Sequence, residues 1–194
     1  MKADLESALL RANETGTMLN ETQLCFLYAL ASMAPDGPAV ECGVYKGGSL
    51  AVWSAAREDR GAIYAVDSWE PPHWSKFQAE FDRVMAAFDI PVIKLVLDSW
   101  AAPGHIKDDI AFCFIDAFHG DPGFPLDLAA WAPRIKPGGV LVFHDYFENS
   151  NKPTVTVKWH VDRWQQSAQW YELGVVSGTA AFMRPRAVAI GGRK

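Results

Sequence analysis

No stretch of this sequence carries the roughly 20 consecutive apolar residues that a membrane-crossing helix needs. Neither an internal repeat nor a low-complexity segment interrupts it. Membrane-spanning, solenoid and disordered chains are therefore not expected, and a soluble globular chain is. Cysteine is scarce as well. Cys25, Cys42 and Cys113 each sit in an apolar stretch without C-x-x-C spacing, so they read as buried thiols rather than as a disulfide framework or a zinc site. Positive charge is thin: 18 Lys and Arg stand against 23 Asp and Glu, a net charge of -5. The basic residues are scattered rather than striped, which argues against nucleic acid as a partner. Met1 to Glu14 mixes Lys2, Asp4, Glu6, Arg11 and Glu14 among its apolar residues, so the basic start and apolar run of an export signal are missing and a cytoplasmic location is expected.

What is present is an alternation of apolar runs with amphipathic stretches, the pattern of βαβ units. The 194 residues suffice for one domain but not for separate cofactor and substrate domains. The expected organisation is a helical extension over 1–37 and a core over 38–194. A helix is expected over Asn20 to Met33, then strands over Ala39 to Gly43, Ala62 to Asp67, Val92 to Leu97, Ile110 to Asp116 and Gly139 to His144. Helices over Ser49 to Arg57, Ser75 to Phe88 and Leu126 to Ile135 link them, and Lys136-Pro137-Gly138-Gly139 reads as a turn. A last helix over Val155 to Gln166 precedes Tyr171 to Val176 and Thr179 to Met183. Only Ser177-Gly178 joins those two runs, which demands an antiparallel hairpin. The eight tryptophans are unusual; some can line an aromatic-accepting pocket, though the core is the default place for any one of them.

In open α/β sheets, ligands bind beyond the carboxyl ends of the strands. The first strand runs into Glu41-Cys42-Gly43-Val44-Tyr45-Lys46-Gly47-Gly48-Ser49, where glycines permit close backbone approach and a helix N-terminus offers free N–H groups to a carboxylate. A tight turn alone accounts for one glycine but not for three flanked by Glu41 and Ser49. Gly43 and Gly47 are separated by three residues, so the dinucleotide fingerprint fails, and Gly47-Gly48-Ser49 with Lys46 misplaced fails the phosphate-loop pattern. Asp67 ends the second strand, where it either accepts from both hydroxyls of a ribose or caps a helix. Asp98-Ser99-Trp100 either meets an adenine edge and face or caps a short helix. Asp116 and the His144-Asp145 pair end adjacent strands and together offer ligands to a divalent ion. Asp116 alternatively receives an ammonium, and His144 alternatively is a satisfied core residue.

These segments, in this order, resemble the class I S-adenosylmethionine-dependent methyltransferases over most of the chain. More narrowly they are similar to the small-molecule O-methyltransferase branch, which includes catechol- and macrocin-type enzymes. The residues that carry the likeness are Val40 to Ser49, Phe114-Ile115-Asp116-Ala117-Phe118-His119, and Lys136 to Gly139 followed by Phe143-His144-Asp145-Tyr146. The resemblance implies a Rossmann-like α/β fold: a mostly parallel seven-stranded sheet, an antiparallel C-terminal hairpin, and helices on both faces. It implies that Glu41, Gly43, Tyr45, Gly47 and Ser49 border the methionine portion of the cofactor, Asp67 and Ser68 the ribose, and Ser99 the adenine, with Asp116 beside them. It also implies that Asp116, His144 and Asp145 occupy the positions of Mg²⁺ or another divalent cation.

The chain departs from that pattern at two points. Relatives usually place Asp, Glu or Asn at the last two metal positions, and His144 suits a softer ion than magnesium. Many relatives are acidic two residues after Asp116, where this chain has Phe118. His119 falls where catechol-type relatives carry a lysine base, which makes it the first choice for general base, with His144 the second; the alternative is a surface histidine in a polar loop, since Gly120-Asp121-Pro122-Gly123 can form a flexible flap. The implied reaction is O-methylation of a small-molecule hydroxyl. Two rivals stand beside it: a non-catalytic nucleoside-binding protein of the same fold, and a hydroxylase, which the lack of an evident two-histidine, one-carboxylate triad weakens. A homo-oligomer is left open.

Overall fold

The computed structural model describes residues 4–57, 59–70, 74–147 and 156–186. Two helices lead. In the first, α1 (Leu5–Thr15), the Asp4 side chain accepts from the Ser7 N–H and left-handed Gly16 ends the helix. In the second, α2 (Glu21–Met33), Asn20 and Gln23 exchange hydrogen bonds as a reciprocal capping box. There follow β1 (Ala39–Cys42), α3 (Gly48–Ala55), β2 (Ile63–Val66), α4 (Ser75–Ala87), β3 (Ile93–Leu95), a 3₁₀ segment over Ser99–His105, β4 (Ile110–Ile115), α5 (Gly123–Trp131), β5 (Ile135–Phe143), α6 (Val157–Ala168), β6 (Tyr171–Val176) and β7 (Thr179–Met183). Among the described residues, no helix is long and apolar enough to cross a membrane.

The strands form one seven-stranded sheet in the order β3-β2-β1-β4-β5-β7-β6. The first five strands are parallel, and β7 joins β5 and β6 antiparallel. This is the α/β architecture expected from the sequence, hairpin included. Strand alternation divides the core between two faces. Ala39 of β1 and Phe112 and Phe114 of β4 pack with Leu24, Leu27, Trp53 and Phe81 on the face covered by α1 to α4. Val40, Cys42 and Cys113 pack with Phe124, Trp131, Phe143 and Val161 on the face covered by α5 and α6. Every residue of α3 is buried, because α1 and α2 lie over it.

Strand order reverses between β1 and β4, so the loops that leave these two neighbours diverge to opposite faces and open a crevice at their carboxyl ends. The candidate site residues stand at this end of the sheet. Elsewhere, two segments depart from expectation. The Lys136-Gly139 turn is drawn into β5, where the register against β4 jumps from Ile110↔Ile135 to Phe112↔Val140, with Gly138 at φ 79° taking up the slack. The helix expected to reach Ile135 stops at Trp131, and Ala132–Arg134 tightens into a 3₁₀ turn around Pro133. Val155, the expected start of the last helix, lies outside the described residues.

Candidate active site

The loop after β1 is shaped by close packing. At Gly43 (φ 85°) a Cβ would collide with the Asp116 backbone carbonyl, so only glycine lets the ends of β1 and β4 approach this closely. At Gly47 (φ 87°) a Cβ would lie 2.7 Å from the Met85 side chain. Gly47 is also the N-cap of α3 and supplies no capping side chain, which leaves first-turn N–H groups available to an anion. Glu41 faces α3 and is fully buried. Its carboxylate accepts from the Ser49 hydroxyl at 2.5 Å and from the Trp53 indole N–H. Glu41 and Ser49 thus fasten the loop's helix to β1 from beneath.

Asp67, just past β2, accepts from the Tyr45 N–H at 2.9 Å with one oxygen and from the Trp69 N–H at 2.8 Å with the other. Burial raises its pKa, and these backbone donors oppose the rise. Each oxygen keeps a lone pair for a ligand hydroxyl. Tyr45 and Trp69 both have φ 49°, and Asp145 after β5 has φ 53°. Three left-handed non-glycine residues at three strand ends concentrate backbone strain in this crevice. Ser68 and Ser99 are partly buried; the Ser99 carbonyl accepts from the Trp131 indole at 3.1 Å, while Trp100 beside it is exposed.

Beyond β4 and β5 the structure gathers Asp116, His119 and His144. Ligand-type atoms of these three lie within 4.8 Å of one another. Asp116 Oδ1 is 3.0 Å from His119 Nε2 and 2.9 Å from His144 Nδ1. Burial alone would raise the Asp116 pKa, but its hydrogen bonds with the two imidazoles outweigh that and lower it, so the carboxylate is ionised. Burial works against charge on His144 too, and Asp116 outweighs it in the raising direction. Asp145 stands beside this cluster rather than in it, its oxygens 3.4 Å from His119 Nδ1 and 3.6 Å from His144 Nδ1. Two histidines and a carboxylate therefore do meet here, contrary to the expectation that no such triad forms. His119 is one of them and not a detached surface residue. Its loop is pinned, in contrast to the flexible flap of the alternative reading: the Thr156 N–H donates to the His119 carbonyl at 2.8 Å, and His160 pairs with Asp121 at 2.7 Å.

One further residue reaches the cluster. Gln23, on α2 and only 5% exposed, places its amide nitrogen 3.0 Å from His144 Nε2 and 2.9 Å from the Ser177 carbonyl. The Asn20-x-x-Gln23 cap is visible in the sequence, but a contact 121 positions away is not. Phe118 is 61% exposed and packs over Gly123, presenting a free ring at the rim.

Residues 40–146, more than half of the chain, match the family model described as a methyltransferase domain. The chain belongs to that family. Its fold is similar to a Corynebacterium glutamicum protein at 14% identity, covering 95% of this chain and 92% of that one with a TM-score of 0.70. It is similar to the O-methyltransferase TomG of Streptomyces achromogenes, involved in tomaymycin synthesis and solved with S-adenosylmethionine, at 17% identity, 95% and 91% coverage and a TM-score of 0.64. An O-methyltransferase from Bacillus cereus, solved with S-adenosylhomocysteine, matches at 19% identity, 92% and 90% coverage and a TM-score of 0.64.

Proposed function

We propose that the chain transfers the methyl group of S-adenosylmethionine to a hydroxyl oxygen of a small molecule. The observation that carries this reading is a coincidence at one rim: the uncapped start of α3, the Asp67 carboxylate and the Asp116–His119–His144 cluster all follow the carboxyl ends of neighbouring strands around the β1/β4 switch point. The free N–H groups of α3 take the cofactor's carboxylate, with Gly43, Tyr45 and Gly47 shaping the loop and Glu41 and Ser49 holding it. Asp67 and Ser68 take the ribose, and Ser99 the adenine side. The cofactor supplies an electrophilic methyl on a sulfonium. The new bond is oxygen to carbon, the broken one carbon to sulfur, and the hydroxyl proton must go to the protein.

In this reading His119 takes that proton. Asp116 is ionised and can only accept, so the His119 nitrogen facing it, Nε2, carries the hydrogen and Nδ1 is left as the base. After transfer, the new Nδ1–H points toward Asp145, 3.4 Å away. Asp116 also orients the ring, and Phe118 offers an apolar face to an aromatic acceptor. The free thiols Cys42 and Cys113, hydrogen-bonded to each other yet unbridged, fit a reducing, cytoplasmic compartment.

Isothermal calorimetry tests the cofactor assignment. S-adenosylmethionine and S-adenosylhomocysteine should bind, NAD and ATP should not, and Asp67→Ala should weaken binding by about 1–3 kcal/mol through loss of a charged acceptor for the ribose hydroxyls. Tight NAD binding, or unchanged affinity in Asp67→Ala, would refute it.

A further inference from the structure

The amide of Gln23 cannot be turned round. Its Oε1 accepts from the Asn20 N–H at 2.9 Å, the return half of the capping box. Its Nε2 therefore faces the Ser177 carbonyl at 2.9 Å, the Thr179 hydroxyl at 3.4 Å and His144 Nε2 at 3.0 Å. An amide nitrogen only donates and a carbonyl only accepts. Flipping the amide would set Oε1 against the Ser177 carbonyl and the NH₂ group against the Asn20 N–H, breaking two partly buried hydrogen bonds at once. The His144 nitrogen beside it must then be an acceptor, with no hydrogen of its own.

The consequence runs through the ring. A neutral His144 without hydrogen on Nε2 has it on Nδ1, aimed at Asp116 Oδ1 2.9 Å away. Nδ1 is also the atom His144 contributes to the cluster with Asp116 and His119. Coordination there would require the opposite tautomer, with an Nε2–H directed at the Gln23 donor. A metal-binding histidine ordinarily gives its distal N–H to an acceptor such as a carbonyl or carboxylate. Here the distal partner is a donor, so the donor set is right for a transition ion but the proton is in the wrong place.

We infer that Gln23 is a positioning residue that fixes His144 as an Nδ1–H donor to Asp116 and so keeps this trio a hydrogen-bonded cluster instead of a divalent-metal centre. The N-terminal helical extension thereby takes part in the site: α2 sets a proton at the end of β5. The inference holds whichever reaction the crevice performs, and its test needs no turnover.

The test compares the full chain with Gln23→Glu, whose carboxylate accepts from an Nε2–H, and Gln23→Met, which offers neither donor nor acceptor and is a good helix former. In ¹⁵N-histidine-labelled protein, long-range ¹⁵N–¹H correlation spectra should show His144 protonated on Nδ1 in the parent chain and on Nε2 in Gln23→Glu. Zn²⁺ and Co²⁺ titrations should show Gln23→Glu binding at least about tenfold more tightly than the parent, the usual scale of a second-layer change at a histidine ligand, with Gln23→Met in between. If Gln23→Glu does not fold, the parent-to-Met comparison carries the same prediction. An Nε2–H tautomer in the parent, or equal metal affinities across the folded proteins, whether tight or absent, would overturn the inference.

Discussion

A carboxylate shut away from water gives up its charge unless donors hold it in place. Glu41 is such a group: burial, only partly opposed by Ser49 and Trp53, pushes its pKa to about 8 from an ordinary 4.5. The folded state therefore binds a proton that the unfolded chain has released. Its contribution to stability is complete below about pH 4.5 and is lost as the pH climbs toward 8. Glu41→Gln keeps an acceptor for Trp53 and a donor for Ser49 without a titrating proton. Thermal unfolding across this pH range should show the parent losing stability relative to Glu41→Gln as pH rises; parallel profiles would contradict the assignment. Adjacency in sequence is enough to put Glu41 beside the loop. It carries no sign that strand alternation turns this side chain under the loop, toward Trp53.

At the scale of elements, the carboxyl end of α2 is tied to the start of the sheet by two arginines, Arg57 and Arg60, of which Arg57 is the buried one. Arg57 is almost completely buried, and its guanidinium donates to the carbonyls of Ala31, Pro35 and Gly37 at 3.2, 3.0 and 2.8 Å, around the carboxyl end of that helix. A cation there answers both unpaired carbonyls and the helix dipole. Burial still lowers its pKa, to about 10, so it remains charged at neutral pH. Arg57→Met fills similar space but donates nothing, and should cost roughly 2–4 kcal/mol, read as a lower urea midpoint at unchanged slope. An unmoved midpoint would mean that these carbonyls are satisfied some other way. Because Gln23 is on the same helix, the anchor bears on the site as well. Most elements were legible from periodicity and turn residues, and the two-residue Ser177-Gly178 link fixed the hairpin. The Lys136-Gly139 segment was not, since a proline and two glycines spell a turn unless a neighbouring strand, here Ile110 to Phe112, pairs across them as a bulge.

For the whole molecule, strand order is what turns separate segments into one site. Gly43, Asp67, Asp116 and His144 were readable as strand-end residues, and the rule that ligands sit beyond carboxyl ends put them on one rim. His119 joining Asp116 and His144, and Asp145 standing aside, depend on the left-handed backbone at Asp145 and the pinned loop after His119, neither of which leaves a mark in the sequence. Gln23 lay further out of reach, because its partner is brought to it only by the closed fold. The proposed reaction is methyl transfer to oxygen with His119 as base. It is tested most directly by incubating the chain with methyl-labelled S-adenosylmethionine and a panel of phenols, catechols and sugar hydroxyls, and following both S-adenosylhomocysteine release and label on oxygen. Label should appear on at least one acceptor, and kcat should be roughly 10²–10⁴-fold lower in His119→Ala and His119→Gln, with cofactor affinity retained. Cofactor binding without transfer to any acceptor, or full kcat in His119→Gln, would contradict it.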